Sequence, residues 1–424
     1  MENKYEKMWQ DIGLDVPLHK ELLESIDKTF KATVGSQKNR PDGMKYFDNA
    51  LHESHGGRVQ ELIEGKSKGN KTVGTFCIYV PDEIAMAVDL IPIALCGGTQ
   101  FSIPYAEKMF PRDICPLVKS TLGLAFSKTC PYAPIKSMAV GETTCDAKKK
   151  TWEILAKKVN FHVMEVPQKK KDLDYKIWRD EVEEFKNKLE ELAGKKVTSE
   201  KLTQTIKTMN DKRKALQKLN EFRKYDPSPI SGLDALVVMQ SALTDEPVRF
   251  TEKLNILNKE LEERITKNIS PFAKGVKRIM ISGCPSVMGN WKVHSLIEKS
   301  GASIVIDETC TGTRYFENLV QENGNDLNKQ LDAIADRYMK INCACFTPNE
   351  DRISNVVNKV DEYKVNGVVH YVLQYCHGYN IETIKLDGAF KEKKLPSLKI
   401  VTDYSEEDTG QLRTRIDAFL ERLE

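Results

Sequence analysis

The order in which strand-like and helix-like segments alternate constrains this chain more than any other feature. Short apolar runs, TVGTFCIYVP, IPIALC, SMAVGETTC and VNFHVMEVP, are separated by segments of helical period, DEIAMAVDL, VKSTLGLAFSK and AKKKTWEILAKK. The alternation returns after Pro271 in VKRIMISGCP, ASIVIDETCTG, NGVVHYVLQYCHG and SLKIVTDYS, with KVHSLIEKS and QLRTRIDAFLERL among the helices between them. Strands that each hand over to a helix predict parallel sheets covered on both faces, so the expected class is α/β with two doubly wound lobes.

Two further segments frame these lobes. Residues 1–70 show helical periodicity, as in LHKELLESIDKTF and YFDNALHESHGGRVQELI. From Lys169 to Arg223 the texture becomes charged and periodic, which predicts two long helices broken near Gly194, continued by SGLDALVVMQSAL and EKLNILNKELEERI. The expected organisation is therefore an N-terminal helical region (1–70), a first Rossmann- or flavodoxin-like lobe (71–167), a helical insertion (168–272) and a second such lobe (273–424). The charged helices of the insertion are a candidate contact for a second copy of the chain.

Charge excludes some functions. With 64 basic against 62 acidic residues there is no field to draw the chain to nucleic acid. The longest apolar stretch, IAMAVDLIPIALCGG, is broken by Asp89 and Pro92 and is too short to span a bilayer. The charged opening MENKYEKMWQDIG lacks the apolar run of a signal peptide, and the expected location is the cytoplasm.

In a reducing cytosol the ten cysteines are not expected to be disulfides. Cys145, Cys284, Cys310 and Cys376 follow strand-like runs, Cys115 and Cys130 lie beside prolines, and Cys343 and Cys345 sit in INCACFTPN. In open parallel sheets, ligands bind beyond the carboxyl ends of the strands. There helix N-termini also favour thiolates. Cys77 and Cys96, inside apolar runs, read as core, and Cys284 fits either role. Zinc sites favour close ligand pairs, of which only Cys343/Cys345 is one, whereas iron–sulfur clusters take thiolates from distant parts of a fold. His377, beside Cys376, is either packed and hydrogen-bonded or a proton relay. Glu142 in GETTC either caps the next helix or carries protons. The GKS of ELIEGKSKG has Gln60 where a phosphate loop needs glycine, and no GxGxxG follows a strand, so any coupling to ATP belongs to a partner.

The segments ICPLVKS, CPYAP, GETTCDAKKK, SGCPSVMGNWKV, ETCTGTRYF, INCACFTPNEDR, YCHGYNIE and TDYSEED resemble the double-cubane-cluster-containing reductases. These are anaerobic enzymes of the 2-hydroxyacyl-CoA dehydratase and benzoyl-CoA reductase superfamily. The resemblance runs from about Thr72 to the C-terminus and is weakest in the helical middle. It implies a [4Fe–4S] cluster on Cys115, Cys145 and Cys376. With Cys130, Cys310 and Cys345 (Cys343 its alternate) as further ligands, it implies an [8Fe–9S] double cubane. It also implies a homodimer and a separate ATP-hydrolysing [4Fe–4S] activator that supplies low-potential electrons for reducing a small molecule. Two other functions stay open: an acyl-CoA dehydratase or reductase subunit with one [4Fe–4S] cluster, and a non-catalytic cluster carrier.

Overall fold

The computed structural model describes residues 4–423. Eight strands form two separate four-stranded sheets. The first holds β1 (Thr72–Thr75), β2 (Ile91–Ala94), β3 (Met138–Glu142) and β4 (Phe161–Met164) in the order β2-β1-β3-β4. The second holds β5 (Arg278–Gly283), β6 (Ser303–Glu308), β7 (Gly367–Leu373) and β8 (Ser397–Thr402) in the order β6-β5-β7-β8. Every pairing is parallel. The expected α/β class with two doubly wound sheets is thus observed, and the two sheets share one strand order.

Burial follows from that order. The central strands β1, β3, β5 and β7 are buried at every residue, as a parallel sheet with helices on both faces requires. At one edge, β4 alternates half-buried with buried residues. In both sheets the chain leaves the first strand toward one edge and later crosses to the other. The carboxyl ends of β1/β3 and of β5/β7 therefore flank a topological switch point.

The insertion contains the two expected long helices, Asp172–Ala193 and Ser199–Phe222. Gly194 ends the first in the left-handed conformation (φ +67°), where a side chain is strained, and the Thr198 hydroxyl caps the second by accepting from Lys201 N at 3.3 Å. Trp178, Val182, Phe185 and Leu189 of the first helix lie in one core with Val73, Val140, Ile279 and Val369 of the two sheets. These residues are thus packed within the chain, while Leu173 and Ile177 of the same helix stay exposed. The following helix, Gly232–Ala242, is buried all round and packs with Phe30, Met44 and Phe47 of the N-terminal helices. Among the described residues no helix is long and apolar enough to cross a membrane.

The lobes meet through the backbone and through buried charge. Gly98 N donates to Met288 O at 2.9 Å, and Thr347 N to Gln168 O at 2.7 Å. Tyr79 Oη donates to Ile341 O at 3.0 Å. On the helix Asp82–Ala87, buried Glu83 pairs with buried Arg213 of the insertion at 2.6 Å and accepts from Tyr338 Oη of the second lobe at 2.8 Å. Removing one member of a buried pair leaves the other charge uncompensated. Glu83→Ala is expected to cost about 3–5 kcal/mol in urea unfolding. Removing the solvent-exposed partner of Lys188 in Glu191→Ala is expected to stay within about 0.5 kcal/mol.

Candidate functional site: a cavity ringed by thiols

A cavity of about 850 Å³ opens between the lobes at the carboxyl ends of both sheets, and nine of the ten cysteines line it. Their placement repeats between lobes. Cys77 and Cys284 follow the first strand of each sheet, Cys96 and Cys310 the second, and Cys145 and Cys376 the third, each one to three residues past the strand end. Cys115, Cys145 and Cys376 each stand immediately before a helix: Pro116–Phe126, Asp146–Leu155 and His377–Glu392. There the helix dipole stabilises negative sulfur.

Cys77 and Cys96 therefore line the cavity, contrary to the expectation of core packing. Phe76 and Leu95 beside them stay in the core, but the two thiols lie just past the strand ends. Cys130 is the exception in the other direction. It is buried among Leu122, Tyr132, Ile135 and Trp152 and is absent from the cavity wall. Cys115 begins the helix Pro116–Phe126 at the cavity, whereas Cys130 lies beyond its far end. Eleven residues at 1.5 Å rise carry the chain about 16 Å away.

The lining thiols fall into two overlapping groups by which of them disfavour one another's ionisation, with Cys343 acting across to Cys376. Burial, then Cys376 and Cys145, pushes the Cys115 thiol up to about 12, and Cys284 belongs with these three. The second group is Cys77, Cys96, Cys310, Cys343 and Cys345. Cys96 Sγ donates to Phe76 O at 3.3 Å, and Cys284 Sγ accepts from Leu373 N at 3.3 Å, while backbone groups also reach Cys77, Cys115, Cys145 and Cys376. Gly283 holds Cys284 there at φ +141°, where a Cβ would stand 2.1 Å from Tyr371 O. Among the described residues no three Cys, His, Asp or Glu side chains converge on a point suited to one metal ion. The sulfurs are spread around the wall, as a polynuclear thiolate-held group needs, so the donor set fits an iron–sulfur cluster.

Cations back both groups, and neither was singled out from the sequence. Lys148 lines the cavity and pairs with buried Glu142, whose Oε1 also accepts from Thr144 Oγ1 at 2.6 Å. Burial would neutralise the lysine, but Cys77, Glu142, Cys145 and Cys96 together hold its pKa well above the ordinary value. Glu142 is the last residue of β3 and stands behind Lys148, outside the cavity wall, and it does not cap the next helix. His377 is exposed and lines the mouth with Cys145, Asp146 and Tyr375.

In the second lobe, buried Arg314 donates to Cys310 Sγ at 3.6 Å, to Gly283 O at 3.0 Å and to Tyr379 Oη. Tyr379 Oη in turn lies 3.6 Å from Cys343 Sγ. The thiol of Cys345 hydrogen-bonds to Cys343 and, against the effect of burial, Arg314 and Tyr379 add to it, bringing Cys343 down to about 6. Arg314 is held by Glu308 at 2.6 Å, and Arg352 reaches the same carboxylate at 2.9 Å and also pairs with Glu382. The arginine could have been suspected from ETCTGTRYF, where it stands four residues after Cys310, a helical turn away.

The model of the family described as "2-hydroxyglutaryl-CoA dehydratase, D-component" matches residues 77–423. YjiM of Escherichia coli (strain K12), which carries a dehydratase-subunit name, is 36% identical over 369 residues, covering 85% of this chain and 94% of that protein. The (R)-phenyllactyl-CoA dehydratase beta subunit of Clostridium sporogenes is 24% identical over 84% of this chain and 92% of its own. A benzoyl-CoA reductase subunit of Thauera aromatica is 23% identical over 81% and 87%.

The buried carboxylate under Cys310 has a measurable signature. Burial alone would raise the Glu308 pKa, but Arg314 and Arg352 outweigh it and pull the carboxyl to about 2. A depressed folded-state pKa stabilises above the unfolded value and loses that contribution as pH falls toward the folded one. Glu308 is therefore expected to supply about 3 kcal/mol at neutral pH, fading progressively below pH ~4.5. Urea midpoints measured from pH 7 to 3 should fall less steeply in Glu308→Gln than in the unaltered chain.

Proposed function

The chain belongs to the 2-hydroxyglutaryl-CoA dehydratase D-component family, and from that premise we propose that it is an iron–sulfur reductase with a double-cubane [8Fe–9S] cluster between its lobes. The observation that carries the reading is the ring of nine thiols drawn from both sheets around one cavity. A single cubane held by one subunit leaves most of them without a purpose. Cys115, Cys145 and Cys376 would hold one half. Cys77, Cys310 and Cys345, with Cys343 its alternate, would hold the other, because Cys310 acts on the ionisation of Cys77 and Cys77 on that of Cys345, whereas Cys130 lies in the core. Cys77 thus takes the place that sequence alone assigned to Cys130. When bound, the cluster supplies low-potential electrons from more than one iron centre.

The chain's own groups do the rest. Arg314 and Lys148 offset the negative charge of the thiolates in a site with little water to do so. Lys148 holds a proton at Nζ on the cavity wall, and Glu142 fixes its position from behind. His377 stands at the mouth, where protons from solvent enter. Electrons come from a separate ATP-hydrolysing [4Fe–4S] activator, since this chain carries no nucleotide-binding motif of its own. Two copies of the chain form the working unit, in the cytoplasm.

The names of the relatives favour a second reading, a [4Fe–4S] subunit acting on an acyl-CoA. Iron analysis separates the two. Anaerobically purified protein is expected to hold about eight irons per chain, in the thiolate clusters typical of low-potential centres. Cys145→Ala and Cys376→Ala are expected to lose iron and activity together, while Cys130→Ala keeps both. With activator, ATP and reductant, a small unsaturated molecule is expected to be reduced. About four irons, with Cys77→Ala and Cys310→Ala indistinguishable from the unaltered chain and turnover of a 2-hydroxyacyl-CoA, would establish the second reading instead.

A further inference from the structure

One phenol in the cavity wall addresses both groups of thiols. Tyr379 stands in the first turn of the helix His377–Glu392 and lines the cavity. Its backbone N–H reaches Cys376 of the first group, three residues back. Its hydroxyl lies 3.6 Å from Cys343 Sγ of the second. A guanidinium has no lone pair to offer, so the Tyr379 oxygen accepts the hydrogen that Arg314 donates to it. The phenol's own hydrogen is left for the Cys343 sulfur, the acceptor it meets among the described residues.

Arg314 extends this arrangement to a second sulfur. The nitrogen that donates to Tyr379, Nη1, also donates to Cys310 Sγ at 3.6 Å, so one group serves Cys310 directly and Cys343 through the phenol. Glu308 and Gly283 O fix the guanidinium in place. The Arg314 and Arg352 guanidiniums lie 4.7 and 5.2 Å from the centre of the Tyr379 ring, surroundings that favour donation to an anion. Cys345 is served differently. Tyr79, the phenol beside it, commits its hydrogen to Ile341 O at 3.0 Å. Cys343 is buried and Cys345 half-buried, and Cys343 is the one with a side-chain O–H aimed at its sulfur.

We infer that Tyr379 is a positioning residue: through Cys343, which with Cys310 anchors the second-lobe half of the cluster, its O–H sets the reduction potential of that half. The inference rests on the double cubane proposed above and chooses between its two alternate thiols. An added electron makes the sulfurs more negative, and a donor aimed at one of them favours that state. Little water reaches Cys343 to replace the donor if it is removed. Tyr379→Phe takes away one oxygen, keeps the ring in the wall and leaves the backbone N–H on Cys376. One half should respond and the other should not.

Reductive titrations followed by electron paramagnetic resonance measure this on anaerobically purified protein, with iron content determined for each variant. Tyr379→Phe is expected to keep its iron and to make one couple about tenfold harder to reduce, a fall of about 59 mV for one electron, while the other couple stays in place. Replacing Tyr379 by 3-fluorotyrosine, a more acidic phenol on nearly the same frame, is expected to move that couple upward instead. A packing defect would not reverse its sign between the two. Fe–S stretching bands are expected to shift in heavy water in the unaltered chain, and less so in Tyr379→Phe. Cys343→Ala is expected to lose iron that Cys345→Ala retains. Full iron with both couples unmoved in Tyr379→Phe, shifts of the same sign in the two tyrosine variants, or iron lost in Cys345→Ala but kept in Cys343→Ala would each overturn the inference while the double cubane stands. The iron content of a single cubane would overturn both. The expected shifts in a protein that reduces nothing would uphold the inference and remove the reductase.

Discussion

Parallel strands cannot turn back on themselves, and this single constraint arranges everything else in the molecule. Each strand must be followed by a crossover, so all four strands of a sheet deliver their carboxyl ends to one edge. Two such sheets with the same strand order, set with those edges toward a shared cleft, bring loops from residues 77 to 376 around one cavity. The thiols need no proximity in sequence to meet there. They need only stand one to three residues past a strand end, which six of them do. The helical insertion then acts as a wedge, its apolar face packed into the core shared by both lobes.

Gathering sulfur in this way creates an electrostatic problem that the fold answers with buried cations. Each lobe contributes one: Lys148 fixed by Glu142, and Arg314 fixed by Glu308 with Arg352 behind. A lone cation there would be too costly to bury, so each is tied to a carboxylate on its far side, leaving its remaining donors for sulfur or solvent. The guanidinium suits the more enclosed position, since its planar fork serves Glu308, Gly283 O, Tyr379 and Cys310 at once.

Much of this was legible before any coordinates. The alternation of runs predicted both sheets, the break at Gly194 predicted the paired long helices, and the loop positions of Cys115, Cys145, Cys310 and Cys376 pointed to the cavity edge. What could not be read was where a strand ends. TVGTFCIYV looks continuous, yet β1 stops at Thr75 and Cys77 is already past the edge. Cys130 misled for the opposite reason: CPYAP reads as a loop, but a loop at the wrong end of a helix opens onto the core. Arg314 and Lys148 were hidden because their significance lies in the groups they meet across the fold, Tyr379 sixty-five residues after the one and Cys77 seventy-one before the other.

The scatter of the thiols along the chain also bears on biogenesis. A nascent polypeptide that has emerged only as far as the first sheet presents Cys77, Cys96, Cys115 and Cys145, while Cys376 follows Cys145 by 231 residues. Anything held across both lobes can be seated only after the second sheet has emerged and closed over the first. Once seated, it links segments almost three hundred residues apart, and so acts as a staple on the longest loop the chain contains. Loading is then a late checkpoint on folding, and a chain truncated anywhere before β7 arrives at it with an open ring.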